Sequence, residues 1–359
     1  MPKTEMTTEY GTENKIMKEE EIRTMMNNNF NNGAANNYNN SNNGEFIMVQ
    51  GTLITMEAFA GTVKTAMEAH YGADYKVTVQ DVQKNNGLVL TGITILKKDC
   101  NIAPTIYLNQ AFEQYQEGRT LESICREFIR VYEEHKVQTD FDISCVTDFS
   151  KVQSRICYKL INAEKNEELL ADAPHILLED LAVVFYILVS SDAEGTGTIT
   201  IKNNMLEIWD VDIDVLYDLA LANTQRMFRG TVQSMANVMM DILSKQMDEE
   251  AACEFFDMMV DADDAIPMYV CTNAMKLNGA GVILYSGLLK EFADRVDSDV
   301  YILPSSVHET LLIPVNADMD VEYLRDMVRT VNRTEVAPDE ILSDNVYYYN
   351  RLTDRVELA

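Results

Sequence analysis

The stretch Leu181–Val189, LAVVFYILV, carries no charged or amide side chain, and it limits the fold more than any other interval. It is the longest apolar run in the chain, and it falls far short of the roughly 20 residues a helix needs to cross a bilayer. Its length and its β-branched and aromatic content mark it as a central strand buried on both faces. No membrane-spanning segment is therefore expected.

The chain has 359 residues and is 47% apolar, ample for one large or two ordinary domains. The apolar content is unevenly spread. Met1 to Met26 is polar and charged, and Asn27 to Gly44 is nearly all asparagine, relieved only by Phe30, Ala34, Ala35 and Tyr38. Such a tract lacks the apolar surface to offset ordering entropy, so residues 1–45 are expected to be a disordered tether. The opening MPKTEMTTEYGTENK has no basic region followed by an apolar one, which gives a cytoplasmic expectation.

The formal net charge of −29 repels phosphate backbones and argues against ordinary nucleic-acid binding. It leaves two readings, a surface kept soluble by like charge, or one that imitates nucleic acid and occupies a basic protein partner. Cysteines 100, 125, 145, 157, 253 and 271 form no C-x-x-C pair, and histidines 70, 135, 175 and 308 are too dispersed for a metal frame. No cofactor or metal is expected.

Hydrophobic spacing gives a mixture of elements. Phe59, Val63 and Met67 recur on one helix face, and Gly72 stops it. Tyr75 to Val82 alternates as a strand, Asn85-Asn86-Gly87 is a hairpin turn, and Leu88 to Leu96 returns. Leu121, Ile124, Phe128 and Val131 line another helix, and Val152 to Leu160 is a strand candidate. Thr198–Ile201 and Met205–Trp209 read as two short strands. Helices follow on Leu216, Leu219, Ala220 and Met227, on Val232, Met235, Met239, Ile242 and Leu243, and on Phe255, Phe256 and Met259. Pro267–Cys271 is a strand, and Asn278–Val315 reads as helix, strand, polar turn, strand. A helix over Val321 to Arg333 precedes a last hairpin of Asn345–Tyr349 and Arg355–Leu358. The expected fold is α+β, with mixed or antiparallel sheets flanked by helices. Its two units are 46–150 and 151–359, the second with a sheet holding both Leu181–Val189 and Tyr301–Val315.

The densest polar chemistry lies in Pro304-Ser305-Ser306-Val307-His308-Glu309. Ser305, Ser306, His308 and Glu309 supply a nucleophile, a base and a carboxylate, the residue types of a hydrolase or transferase. Along a strand, Ser306 and His308 share a face while Glu309 points away, and no G-x-S-x-G elbow accompanies them. A turn whose serines bond their own backbone is the competing reading. His308-Glu309 is not a zinc motif, because position 312 is leucine where H-E-x-x-H needs histidine. Asp210, Asp212 and Asp214 imitate the start of a calcium loop, which then fails at Val215 and Leu221, so helix capping accounts for them. Asp257, Asp261, Asp263 and Asp264 are acidic enough for a cation, with a solvated helix end as the competing reading. Gly279-Ala280-Gly281 lacks the third glycine and the lysine of a phosphate loop and reads as close packing. Pro304, Ser305, Ser306, His308 and Glu309, with Asn273 and Gly279, form the candidate binding set.

VYILPSSVHETLLIPV, with PMYVCTN and GAGVILYSGLL before it and VNRTEVAPDEILSDNVYYYN after it, resembles an uncharacterised bacterial family. That family is frequent in anaerobic Gram-positive gut bacteria and their mobile elements. Its Tyr-x-Leu-Pro-Ser-Ser-x-His-Glu signature stands here as Tyr301 to Glu309, and the resemblance runs from about Leu53 to the end. More distantly, Leu178 to Thr224 is similar to a second uncharacterised bacterial family. Neither resemblance brings an activity or a catalytic residue. The expectation is a non-enzymatic protein that binds a host or phage macromolecule through its acidic surface or the 304–309 turn; the alternative is the hydrolase or transferase.

Overall fold

The computed structural model describes residues 55–136, 144–192, 195–248, 251, 266–316 and 319–359. The expected N-terminal arm lies outside these residues, as do the expected helix at Phe255 to Met259 and the carboxylates at 257, 261, 263 and 264. The described chain is α+β, as predicted, with helices around three antiparallel sheets. No described helix is long and apolar enough to cross a membrane. The described residues divide into two compact units, one of 55–83, 89–136, 189–192 and 195–199, the other of those within 84–88, 144–188 and 200–359.

In the first unit, α1 (Met56–Tyr71) begins where the Thr55 hydroxyl accepts from the Ala58 N–H, and it ends at Gly72, whose φ of 69° suits a residue without Cβ. Strands β1 (Tyr75–Gln83), β2 (Val89–Lys97) and β3 (Thr105–Tyr107) form an antiparallel sheet in that order. Helices α2 (Asn109–Gln116) and α3 (Leu121–His135) follow. Phe59, Val63 and Met67 of α1 share a core with Ile93, Ile95, Leu108, Ile124 and Phe128, so the four-residue spacing seen in the sequence is the buried stripe.

The second unit opens with short helices α4 (Ser144–Thr147) and α5 (Phe149–Val152) before β4 (Ile156–Asn162). After α6 (Glu167–Leu170), β5 (His175–Leu178) and β6 (Leu181–Asp192) join a sheet of order β4-β6-β5; the last residues of β6 and most of β7 (Gly195–Thr200), which pairs β6, are counted with the first unit. Every residue from Leu181 to Ile187 is buried, as the continuous apolar run predicts. Next come α7 (Asn203–Trp209) and α8 (Ile213–Met227). Helix α8 satisfies the outer edge of β4: Thr224 Oγ1 accepts from the Tyr158 N–H at 3.1 Å, and Asn223 Nδ2 donates to the Ile156 carbonyl at 3.0 Å. That edge is thereby closed to further strand pairing.

The second sheet of this unit has the order β13-β12-β10-β11-β9-β8. Its strands are β8 (Gly230–Ser234), β9 (Tyr269–Asn273), β10 (Val300–Ser306), β11 (Glu309–Pro314), β12 (Tyr347–Asn350) and β13 (Arg355–Leu358), joined by α9 (Met235–Gln246), α10 (Leu288–Val296) and α11 (Val321–Thr334). Leu324 and Val328 of α11 pack on Tyr301, Leu303, Ile313 and Val346.

Three expectations are corrected. Leu181–Val189 and Tyr301–Val315 belong to different sheets, because β6 is flanked by β4 and β5 while β10 is flanked by β11 and β12, mostly its near neighbours in sequence. Met205–Trp209 is helical, since Met205, Leu206, Ile208 and Trp209 also fit helical spacing and Asp210 ends the turn at φ 54°. Val232 lies in β8, and the next helix starts only where Ser234 Oγ accepts from the Asn237 N–H. The capping role expected near Asp212 is present: its carboxylate accepts from the Val215 N–H at 2.9 Å.

The segment from Pro338 to Ser343 has no regular structure, yet each of its carbonyls is bonded. Asn86 Nδ2 donates to Pro338 O (2.9 Å) and Ile341 O (2.7 Å), and Asn85 Nδ2 to Asp339 O (2.7 Å). The Val307 N–H donates to Glu340 O (2.8 Å), Asn162 Nδ2 to Leu342 O (3.1 Å), and Asn332 Nδ2 to Ser343 O (2.9 Å). Asn166 binds the backbone and side chain of Asn86, which holds the left-handed φ of 57° that asparagine tolerates. Beyond Ser343, the Asp180 carboxylate accepts from the hydroxyls of Ser343 and Tyr347 and the amide of Asn345.

Replacing Asn86 leaves the part-buried Ile341 carbonyl without its partner, while the exposed Pro338 carbonyl turns to water. Asn86→Ala is expected to destabilise the second unit by about 2 kcal/mol, and Asn86→Gly by about 1 kcal/mol because glycine keeps the left-handed backbone. The single tryptophan, Trp209, lies in this unit, so its fluorescence in denaturant titrations reads the shift.

Candidate functional site

The β10–β11 hairpin pairs Val300 with Pro314 and Pro304 with Thr310, then shifts register so that Ser306 faces Glu309. Ser305 is the extra residue of this bulge. Pro304 is tolerated because β12 pairs β10 only at Val300–Ile302, so the missing N–H costs no ladder bond on that side.

The turn is bonded on every side. Ser306 Oγ accepts from the His308 N–H at 3.0 Å, closing a serine turn. The Val307 N–H donates to Glu340 O, and Val307 O accepts from the Ala280 N–H at 3.2 Å. The His308 carbonyl accepts from Thr272 Oγ1 at 2.7 Å. The imidazole is hydrogen-bonded at one nitrogen, where Nδ1 accepts from the Asn278 N–H at 3.1 Å, while Nε2 lies 3.5 Å from Glu340 Oε1. Acceptance at Nδ1 places the proton of the neutral ring on Nε2, facing the carboxylate.

The sequence-predicted residues meet here unequally. Ser306, His308 and Gly279 are brought together. Asn273 stands beside them but is spent on its own turn, with Oδ1 accepting from the N–H groups of Met275 and Leu277 and Nδ2 donating to Leu277 O. Gly279 opens a 3-10 helix, Gly279–Leu284, and not a phosphate-binding α-helix. A Cβ at Gly279 would stand 2.2 Å from Thr272 Oγ1 and 2.3 Å from the His308 carbonyl, so glycine is required for contact, as the packing reading expects. Gly281 likewise receives the Tyr158 ring, whose hydroxyl donates to the Gly281 carbonyl at 2.7 Å.

The carboxylate that faces His308 is Glu340, where the sequence offered Glu309. Spacing along the chain could not point to it; the one signal was the density of polar and turn-forming residues in PDEILSDN. Asn278 was also missed. It holds the imidazole through its backbone N–H and bonds the hydroxyl of Tyr186 on β6. Burial pushes the Cys157 thiol up to about 11 and the Cys271 thiol up to about 12, so both are protonated near neutrality and inert as nucleophiles. Among the described residues no group of three or more His, Cys, Asp and Glu could hold a metal ion.

Gly279→Ala is expected to cost about 3 kcal/mol, because the methyl collides with backbone and with a buried hydroxyl that both have partners. Thermal unfolding followed by the emission of Trp209, in the same unit, compares the variant with the parent.

No curated protein and no solved structure matches the chain. A family model described as a family of unknown function matches residues 56–351, which bears out the expectation of an uncharacterised family over most of the chain. The chain belongs to DUF5688, a family of unknown function.

Proposed function

We propose that this protein acts without catalysis, as a binding protein that presents an acidic surface to a basic macromolecular partner. The observation that carries this reading is the net charge of −29, from 58 acidic against 29 basic residues. A surface of that sign speeds encounter with cationic partners and repels nucleic acid. The bonding of the 304–309 turn supports the same reading: the Ser306 hydroxyl is committed to a backbone N–H, and the imidazole accepts a backbone N–H at Nδ1. The sequence resemblance adds a bacterial setting and a gene on a mobile element, and the proposed partner is a host or phage macromolecule.

A second reading, a hydrolase or transferase using Ser305, Ser306, His308 and Glu309, draws on the proximity of His308 and Glu340, a pairing that orients an imidazole base.

Two measurements separate them. In a pull-down from bacterial lysate, the binding reading expects a discrete basic protein held at about 0.05 M salt and lost toward about 0.5 M as screening shortens the interaction range. Recovery of no partner above background at low salt would count against it. Ester, phosphoester and nucleotide substrates are then offered to the parent and to His308→Ala. The binding reading expects identical traces, and turnover by the parent that the variant lacks would favour the enzyme.

A further inference from the structure

Strand β13 is the outermost strand of the six-stranded sheet, and among the described residues it pairs on one side only, with β12. The register sets Glu357 opposite Tyr348, Val356 opposite Tyr349 and Arg355 opposite Asn350. Just beyond, the Ala359 N–H donates to the Val346 carbonyl at 2.9 Å, so these two form a hydrogen-bonded pair of the ladder. Such pairs alternate along an antiparallel strand, and Arg355 and Glu357 therefore also turn their peptide groups toward β12. Val356 and Leu358 turn theirs away from the sheet. The result is an open backbone edge, and Leu358 on it is exposed.

Charged side chains on an outer strand ordinarily discourage pairing. Here their spacing suits one partner. Arg355 and Glu357 lie two residues apart on the same face, and both are exposed. Arg325 and Arg351 pair with carboxylates, whereas Arg355 and Glu357 have no ion-pair partner among the described residues. Two copies of β13 related by a two-fold axis through Val356 set Arg355 of each opposite Glu357 of the other. Both charge pairs then fall at non-hydrogen-bonded positions, where side chains come closest across a ladder. The outward N–H and carbonyl of Val356 meet those of Val356 in the second copy. Sliding the register by two residues sets Arg355 opposite Arg355, or Glu357 opposite Glu357. One register is matched in charge, and its neighbours are repulsive.

We propose that this protein self-associates through β13, as a reversible dimer in which the two six-stranded sheets join edge to edge into one antiparallel sheet. A ladder this short buries less than the roughly 1,200 Å² of a stable interface, so the expected dissociation constant is on the order of 10 μM. The dimer is independent of the acidic-surface role, since it needs no second kind of protein.

The test is sedimentation equilibrium of the purified full chain at about 0.15 M salt, where a Debye length of about 8 Å confines the repulsion between acidic copies. Between about 1 and 100 μM the mean mass should climb from 40.7 kDa toward twice that value. Arg355→Glu or Glu357→Arg sets like charges opposite each other and should weaken the dimer on the order of tenfold. The double exchange Arg355→Glu/Glu357→Arg rebuilds both pairs and should recover the parent behaviour. Val356→Pro removes an N–H that the ladder within one chain does not use, and should abolish the dimer. Native Trp209 emission checks the fold of each variant. The mass of a single chain at about 100 μM would overturn the proposal. So would a dimer that either single exchange leaves intact, or one that the double exchange fails to restore.

Discussion

A buried carbonyl without a partner costs about 1–3 kcal/mol, and the irregular stretch from Pro338 to Ser343 runs from an exposed end at Pro338 to the fully buried Leu342 and Ser343, where that cost falls. The second unit meets this constraint with asparagine. Asn85, Asn86, Asn162 and Asn332 donate side-chain amides, and the Val307 N–H supplies the remaining bond. The short asparagine stem loses little rotamer freedom when it is fixed, and its amide can donate twice, as Asn86 does. These donors come from a hairpin tip, a strand end, a helix and a turn, so one irregular segment fixes the positions of four separate pieces of chain. Leu342 and Ser343 are accordingly inaccessible to solvent.

The candidate site depends on that segment. Glu340 contributes its carbonyl to Val307 and its carboxylate to His308, so the 304–309 turn is placed by the same backbone that the asparagines hold. From the other side, Gly279 lets the 3-10 helix come close enough for Asn278 to reach the imidazole and Ala280 to reach the Val307 carbonyl. A turn bonded this fully is rigid. It can present a fixed surface, whereas a serine nucleophile would have to give up a turn-forming bond to act.

Electrostatics divides the molecule differently. Most of the lysines with assigned ion pairs lie on the exterior, where such pairs contribute little to stability and chiefly temper the negative field. Arg355 and Glu357 of β13 depart from this pattern, since they are exposed and have no ion-pair partner among the described residues.

Local patterns determined much of the fold on their own. The apolar run at Leu181 declared a buried strand, the spacing of Phe59, Val63 and Met67 a helix face, and Asn-Asn-Gly at residues 85–87 a hairpin turn, because each pattern reflects a repeat of the backbone itself. The same letters were ambiguous where two repeats fit, as at Met205–Trp209, or where a cap moved a boundary, as at Ser234. The polar turn at 304–309 was legible as a concentration of chemistry, and its serine as a turn-former. What only the tertiary structure decided was which groups would meet there. Asn86 and Pro338, or His308 and Glu340, are separated by long stretches of chain, and hydrogen bonds between distant residues leave no periodic trace for a sequence to show.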